Sequence, residues 1–138
     1  MEQCSSHPPI VLDGAHTPTS VRRTIATFQR IYGAEAVCIF GSVEGKDATG
    51  MATAVSDAFS DIIISRPGTF KPNSPEQVAE IFRSVAPQTE LHIEAEQALH
   101  RALELSAGRP ILVTGSFYMV AEIRPLLKNS PLRTLEEE

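Results

Sequence analysis

The sequence predicts an α/β fold: three layers, α/β/α, around a mostly parallel sheet of about five strands. Three observations predict it. Short apolar runs, most of them rich in β-branched residues, recur along the chain, and they lack the strict alternation of a half-exposed strand. Longer segments with apolar residues at helical spacing separate these runs. Each run is followed directly by small, hydroxylic or charged residues.

The apolar runs are Ile10-Val11-Leu12, residues 36–40 (Ala-Val-Cys-Ile-Phe), Ile62-Ile63-Ile64, Leu91-His92-Ile93 and Ile111-Leu112-Val113. His92 is the one polar interruption. The first helix is predicted to start after Thr17, with Pro18 at its first position, where a missing N–H costs nothing. Val21, Ile25, Phe28 and Tyr32 form its apolar stripe, and Gly33 is a natural C-cap. The second helix is expected from about Asp47 to Phe59, with Met51, Val55 and Phe59 inward. Ser74-Pro75-Glu76-Gln77 opens the third with a Ser cap, Pro first and Gln three after the cap; its stripe is Val78, Ile81, Phe82 and Val85. Ala95, Leu99, Ala102 and Leu103 face inward from the fourth, which ends near Gly108. The fifth follows Ser116, with Met119, Val120, Ile123 and Leu127 apolar, and Pro125 is expected to end or kink it. Helices between parallel strands make the layout Rossmann-like. Residues 1–9 and 129–138 are expected to be poorly ordered, leaving residues 10–128 as the folded domain.

Composition narrows the function. A length of 138 residues suits one domain, and a hydrophobic fraction of 42% supports a packed core. The net charge of −5 argues against duplex nucleic acid as a partner, because phosphate neutralisation needs clustered Lys and Arg. No apolar run is long enough to span a bilayer, so no membrane partner is expected. The first residues lack a basic segment followed by an apolar one, and the two cysteines do not make a disulfide framework. A cytoplasmic location is the expectation. His7, His92 and His100 are scattered, with no partner at metal spacing, so no metal site is expected.

In a parallel α/β sheet, ligands bind beyond the carboxyl ends of the strands. The first strand is followed by Asp13, Gly14, Ala15 and His16; the second by Gly41, Ser42, Glu44, Gly45, Lys46 and Asp47; the last by Thr114, Gly115 and Ser116. A carboxylate at Asp13 can accept from ribose hydroxyls, and an imidazole at His16, near a helix start, can donate to an anionic oxygen. The plainer reading of the same turn is Asp13 bonding its own backbone. The stretch from Gly41 to Asp47 is not a triphosphate cradle: three residues separate its glycines, and Asp47 stands where Ser or Thr should follow Lys46. Asp47 also suits a plain N-cap, and so does Ser116, although backbone donors after Gly115 suit a carboxylate or phosphate as well.

Together these segments resemble the C-terminal domain of the folylpolyglutamate synthase and dihydrofolate synthase family, within the Mur ligase superfamily. The resemblance rests on Leu12-Asp13-Gly14-Ala15-His16, on Phe40-Gly41 through Lys46-Asp47, on Ile63-Ile64-Ser65-Arg66-Pro67, and on the run from Thr114-Gly115-Ser116-Phe117-Tyr118 to Arg124. Many members carry Asn where this chain has Thr17, and the family's Pro and Arg are inverted at Arg66-Pro67, so Arg66 receives no role. The resemblance implies a share in an ATP-dependent ligase that adds L-glutamate to folate through an acyl phosphate. It implies Asp13 and His16 at the nucleotide, with His16 also the catalytic candidate, and Lys46, Asp47, Ser116 and Tyr118 at the glutamate. ATP and magnesium would serve the complete enzyme, whose P-loop, metal and folate elements belong to an N-terminal domain, and the 138 residues alone would have no activity. The alternatives are a cell-wall Mur ligase domain, a phospho-receiver-like module, or a stand-alone domain that binds a small ligand without catalysis.

Overall fold

A computed structural model describes residues 1–128; the expected tail, 129–138, lies outside the described residues. In chain order the elements are β1 (Glu2–Ser6), β2 (Pro9–Leu12), α1 (Pro18–Tyr32), β3 (Val37–Phe40), α2 (Ala48–Ala58), β4 (Asp61–Ile64), α3 (Pro75–Arg83), β5 (Glu90–Leu91), α4 (Ala95–Ser106), β6 (Ile111–Thr114) and α5 (Phe117–Lys128). They form one six-stranded sheet in the order β1-β2-β6-β3-β4-β5. The five strands from β2 to β5 across that order are parallel, and β1 is antiparallel on the edge.

The two-residue period of a strand sorts the core into two layers. Val11, Leu112, Cys38, Phe40, Ile62 and Ile64 point to one face, where α1, α2 and α3 cover them. Ile10, Leu12, Ile111, Val113, Val37, Ile39 and Ile63 point to the other, under α4 and α5. Both faces are therefore buried, which is why the strands read as continuous apolar runs rather than alternating ones. Burial pushes the Cys38 thiol well above its ordinary pKa, making it an inert core residue.

Local sequence explains the helix starts. Thr17 accepts from the Ser20 N–H at 3.1 Å, while the Ser20 hydroxyl accepts from the Thr17 N–H at 3.0 Å. This is a reciprocal capping box with Ser in the place usually held by Glu or Gln. Asp47 accepts from the Gly50 N–H at 2.9 Å and Ser74 from the Gln77 N–H at 3.4 Å.

Four expectations need correction. Residues 1–9 are not a loose start: β1 pairs with β2, the Tyr32 hydroxyl donates to Gln3 Oε1 at 2.6 Å, and Arg124 holds Glu2. This strand blunts the open edge of β2. The Arg124 guanidinium also keeps the Glu2 carboxyl below the usual carboxylate range. The fourth parallel strand is shorter than its run and begins earlier, at Glu90–Leu91, although His92 N–H and Ile93 C=O still bond toward β4. Glu90 is held there by two bonds from Arg101 and one from His92, which lower its pKa. Val85 is 50% exposed because α3 ends at Arg83, and Ala86 takes the inward position. Pro125 does not end α5, which runs on to Lys128. A proline has the φ a helix needs, and burial of Ile123 and Leu127 offsets its missing donor.

Candidate functional site

The carboxyl ends of β2, β6, β3 and β4 are stitched into one rim. Asp13 N–H donates to Val113 C=O, Gly115 N–H to Ala15 C=O, Gly41 N–H to Thr114 C=O and Ser65 N–H to Phe40 C=O, all at 3.0–3.2 Å. Gly115 sits at φ 108, and a Cβ there would lie 2.6 Å from the Gly41 carbonyl oxygen, so only glycine fits. The helices that follow β2 and β3 lie on one face of the sheet, and the helix that follows β6 lies on the other. The connections therefore part at β6, the kind of place where parallel sheets open a crevice.

Asp13 and His16 share that crevice. A groove of about 700 Å³ is lined by Asp13, Gly14, His16, Arg23, Thr24 and Phe117, among others. One oxygen of Asp13, Oδ1, accepts from the Ala15 N–H at 2.9 Å and from the Thr24 hydroxyl at 2.9 Å. The other, Oδ2, lies 3.2 Å from the amino group of Met1. His16 Nδ1 is 3.0 Å from the Gly14 carbonyl. A carbonyl only accepts, so Nδ1 carries a proton and Nε2 is the ring nitrogen left for a ligand. The ring tilts against Phe117, with centroids 5.7 Å apart, and Phe117 is 67% exposed. The basic side chains of the groove differ: Arg124 is committed to Glu2, while Arg23 makes no ion pair among the described residues.

Lys46 and Asp47 lie on the β3–α2 connection. Lys46 lines a separate recess of about 170 Å³ with Ser42, Glu44, Ser74 and Gln77, and its ammonium group makes no ion pair among the described residues. The Ser42 hydroxyl is buried without a hydrogen-bond partner among the described residues. Asp47 caps α2 through Oδ1. A Cβ built on Gly50 would meet both Asp47 Oδ2 at 2.6 Å and Pro18 Cγ at 2.7 Å, so this corner abuts the start of α1, two residues beyond His16.

The remaining two candidates stand elsewhere. Ser116 is only 3% exposed; its hydroxyl donates to Gly41 C=O at 2.9 Å and accepts from the Met119 N–H at 3.0 Å. It fastens the β6–α5 turn to the end of β3 and does not line either opening. Tyr118 stacks on Phe70, with centroids 5.8 Å apart and planes 24° apart, where the excursion 66–73 folds against α5. Phe70 is 80% exposed. Arg66 is paired with Glu94 at 3.0 Å. Sequence reading missed Thr24 and Arg23, which lie 11 and 10 positions beyond Asp13 on the groove side of α1. Helical spacing within α1 marks Thr24 only as an inward residue beside Ile25 and Phe28. Among the described residues no three His, Cys, Asp or Glu side chains converge on a point that a metal ion fits.

Comparison with known proteins gives the family and the fold. Residues 1–117 match the family model described as Mur ligase, glutamate ligase domain. The folylpolyglutamate synthase of Lacticaseibacillus casei is 29% identical over 128 residues, covering 92% of this chain and 29% of that protein. A UDP-N-acetylmuramoyl-L-alanyl-D-glutamate–2,6-diaminopimelate ligase from Chromobacterium violaceum is 26% identical over 115 residues, covering 78% of this chain and 23% of that one. Among solved structures, Mycobacterium tuberculosis folylpolyglutamate synthase complexed with ADP and AMPPCP superposes with a TM-score of 0.83 at 20% identity. That match covers 94% of this chain and 32% of the other, and it shows the shared fold. The chain spans under a third of the length of each of these proteins.

Proposed function

The chain belongs to the family of Mur ligase glutamate ligase domains, and from that premise we propose that it is the C-terminal domain of an ATP-dependent ligase that adds L-glutamate to folate. Its activity is that of a folylpolyglutamate synthase, with dihydrofolate synthesis as a second reaction. The reading is carried by one observation. Asp13 and His16 line one groove at the carboxyl ends of the strands, with Asp13 Oδ1 and His16 Nδ1 engaged in holding the turn and Asp13 Oδ2 paired only with the Met1 amino group among the described residues.

In this reading Asp13 Oδ2 accepts from the nucleotide ribose. His16 stands between the phosphates and the glutamate, with Nε2 available to a proton-bearing or anionic group of either. The Lys46 ammonium and the unpartnered Ser42 hydroxyl supply donors for a glutamate carboxylate. Asp47 holds that corner against α1, Ser116 keeps the two strand ends in register, and Tyr118 with Phe70 forms an aromatic wall on the same edge of the sheet. ATP drives the reaction by phosphorylating the folate carboxylate. The stretch from Gly41 to Asp47 is not a P-loop, and in this reading the P-loop, the magnesium ligands and the folate site belong to an N-terminal domain. Catalysis by this half is positioning and charge complementarity. Among the described residues no helix is long and apolar enough to cross a membrane, in keeping with a cytoplasmic site of action.

The test has two arms. The 138-residue chain, incubated with ATP, magnesium, L-glutamate and tetrahydrofolate, is expected to release no ADP and make no glutamylated product; robust turnover would overturn the half-site reading. In calorimetry the same chain should bind adenine nucleotide weakly, and Asp13→Ala and His16→Ala should each lower that affinity by about tenfold. Unchanged affinity in both variants removes these residues from the site. The similarity to the diaminopimelate ligase supports a cell-wall ligase as the second reading. The complete enzyme distinguishes them, by glutamylating folate or by extending a muropeptide precursor.

A further inference from the structure

We infer that Thr24 is a positioning residue for the nucleotide: its hydroxyl holds the Asp13 carboxylate so that Oδ2 alone faces the ribose. The inference rests on the nucleotide reading above and adds a residue to it. Thr24 lies on the second turn of α1 and is 9% exposed, so its side chain belongs to the helix's inner face. Its neighbours on that face, Val21, Ile25 and Phe28, are core apolar residues, and packing alone gives no reason for a hydroxyl there. The hydroxyl donates to Asp13 Oδ1 at 2.9 Å across 11 residues of sequence. The Ala15 N–H donates to the same oxygen at 2.9 Å, and the Asp13 N–H is bonded to Val113 C=O at 3.0 Å.

The consequence is an asymmetric carboxylate. An ionised Asp has two acceptor oxygens, and a single short-range bond from Ala15 would leave the carboxyl plane free to turn about its last torsion. Two donors on Oδ1, one from the turn and one from the helix, fix that plane. Oδ2 is left on the groove lining, paired at 3.2 Å with the Met1 amino group, whose place the ribose hydroxyls would take. A carboxylate oxygen set in this way accepts from one or both hydroxyls of a ribose without first reorienting, so the affinity gain comes from preorganisation.

The ratio of ATP to 2′,3′-dideoxy-ATP affinity isolates this effect, because the analogue lacks both hydroxyls that Oδ2 would meet. For the 138-residue chain we expect ATP to bind about tenfold more tightly than the dideoxy analogue. Thr24→Val keeps the shape and removes the donor; it should weaken ATP by about fivefold, leave the analogue unchanged and so collapse the ratio. Thr24→Ser should restore it, and Thr24→Ala reads the same quantity if valine disturbs the fold. A ratio unchanged in Thr24→Val and Thr24→Ala overturns the inference while the nucleotide reading stands. A loss equal for both nucleotides assigns Thr24 to packing and also overturns it. If the parent chain binds ATP and its dideoxy analogue equally, the ribose role of Asp13 falls, and that of Thr24 with it.

Discussion

The two turns proposed to meet substrate are built in opposite ways. The β2–α1 turn is short and spends nearly every polar group on itself: Asp13 Oδ1, His16 Nδ1, Thr17 and Ser20 are all bonded within it or to α1, and Ala15 is buried. The β3–α2 connection is longer and open. Glu44, Gly45, Lys46 and Asp47 are exposed, Glu44 N–H reaches out to Pro72 C=O, and only Asp47 is tied to a helix. A turn fixed in advance suits a rigid nucleoside; an open lysine arm suits a small, flexible amino acid that orders the arm as it binds. The first arrangement lowers the ordering cost of binding, and the second leaves that cost to the ligand.

The difference can be broken at its seam. Gly115 lies between the two turns, its N–H on Ala15 C=O and its Cα against Gly41. Gly115→Ala combines a positive φ with a backbone clash, and should destabilise the domain by about 3 kcal/mol. At this size that is a fall in melting temperature on the order of 10 °C; a fall under a few degrees would mean the rim is not rigid.

Within the first turn, Ser20→Ala removes the acceptor for both the His16 and the Thr17 N–H groups. It should cost about 1–2 kcal/mol of unfolding free energy in a denaturant titration, the range of a lost helix cap. In the second, Lys46→Met should change stability by less than about 0.5 kcal/mol, because Lys46 is exposed and its ammonium makes no ion pair among the described residues. If Lys46→Met costs as much as Ser20→Ala, the contrast between a locked and an open turn is wrong.

Much of this layout is legible in the sequence wherever the cause is local. Thr17-Pro18, Asp47 and Ser74-Pro75 mark three helix starts by themselves, since capping needs only residues within one turn. The buried strands declare themselves by runs of Ile and Val. What escaped depends on distant partners. Glu2–Ser6 has neither β-branched residues nor alternation, and becomes a strand through β2, Tyr32 and Arg124. Asp13, His16 and Lys46 could be singled out as strand-end residues, but spacing does not say that Ser116 is buried or that Tyr118 meets Phe70. Thr24 meets Asp13 only because α1 folds back over the turn that precedes it.

The division of labour between the two turns is tested most directly by titrating the 138-residue chain with ATP and with L-glutamate while following its backbone amide resonances. ATP should shift residues 13–16 and Thr24. L-glutamate should shift residues 42–47, and Lys46→Met should abolish the second response without altering the first. A glutamate response confined to residues 13–16, or one that survives Lys46→Met, would contradict the account.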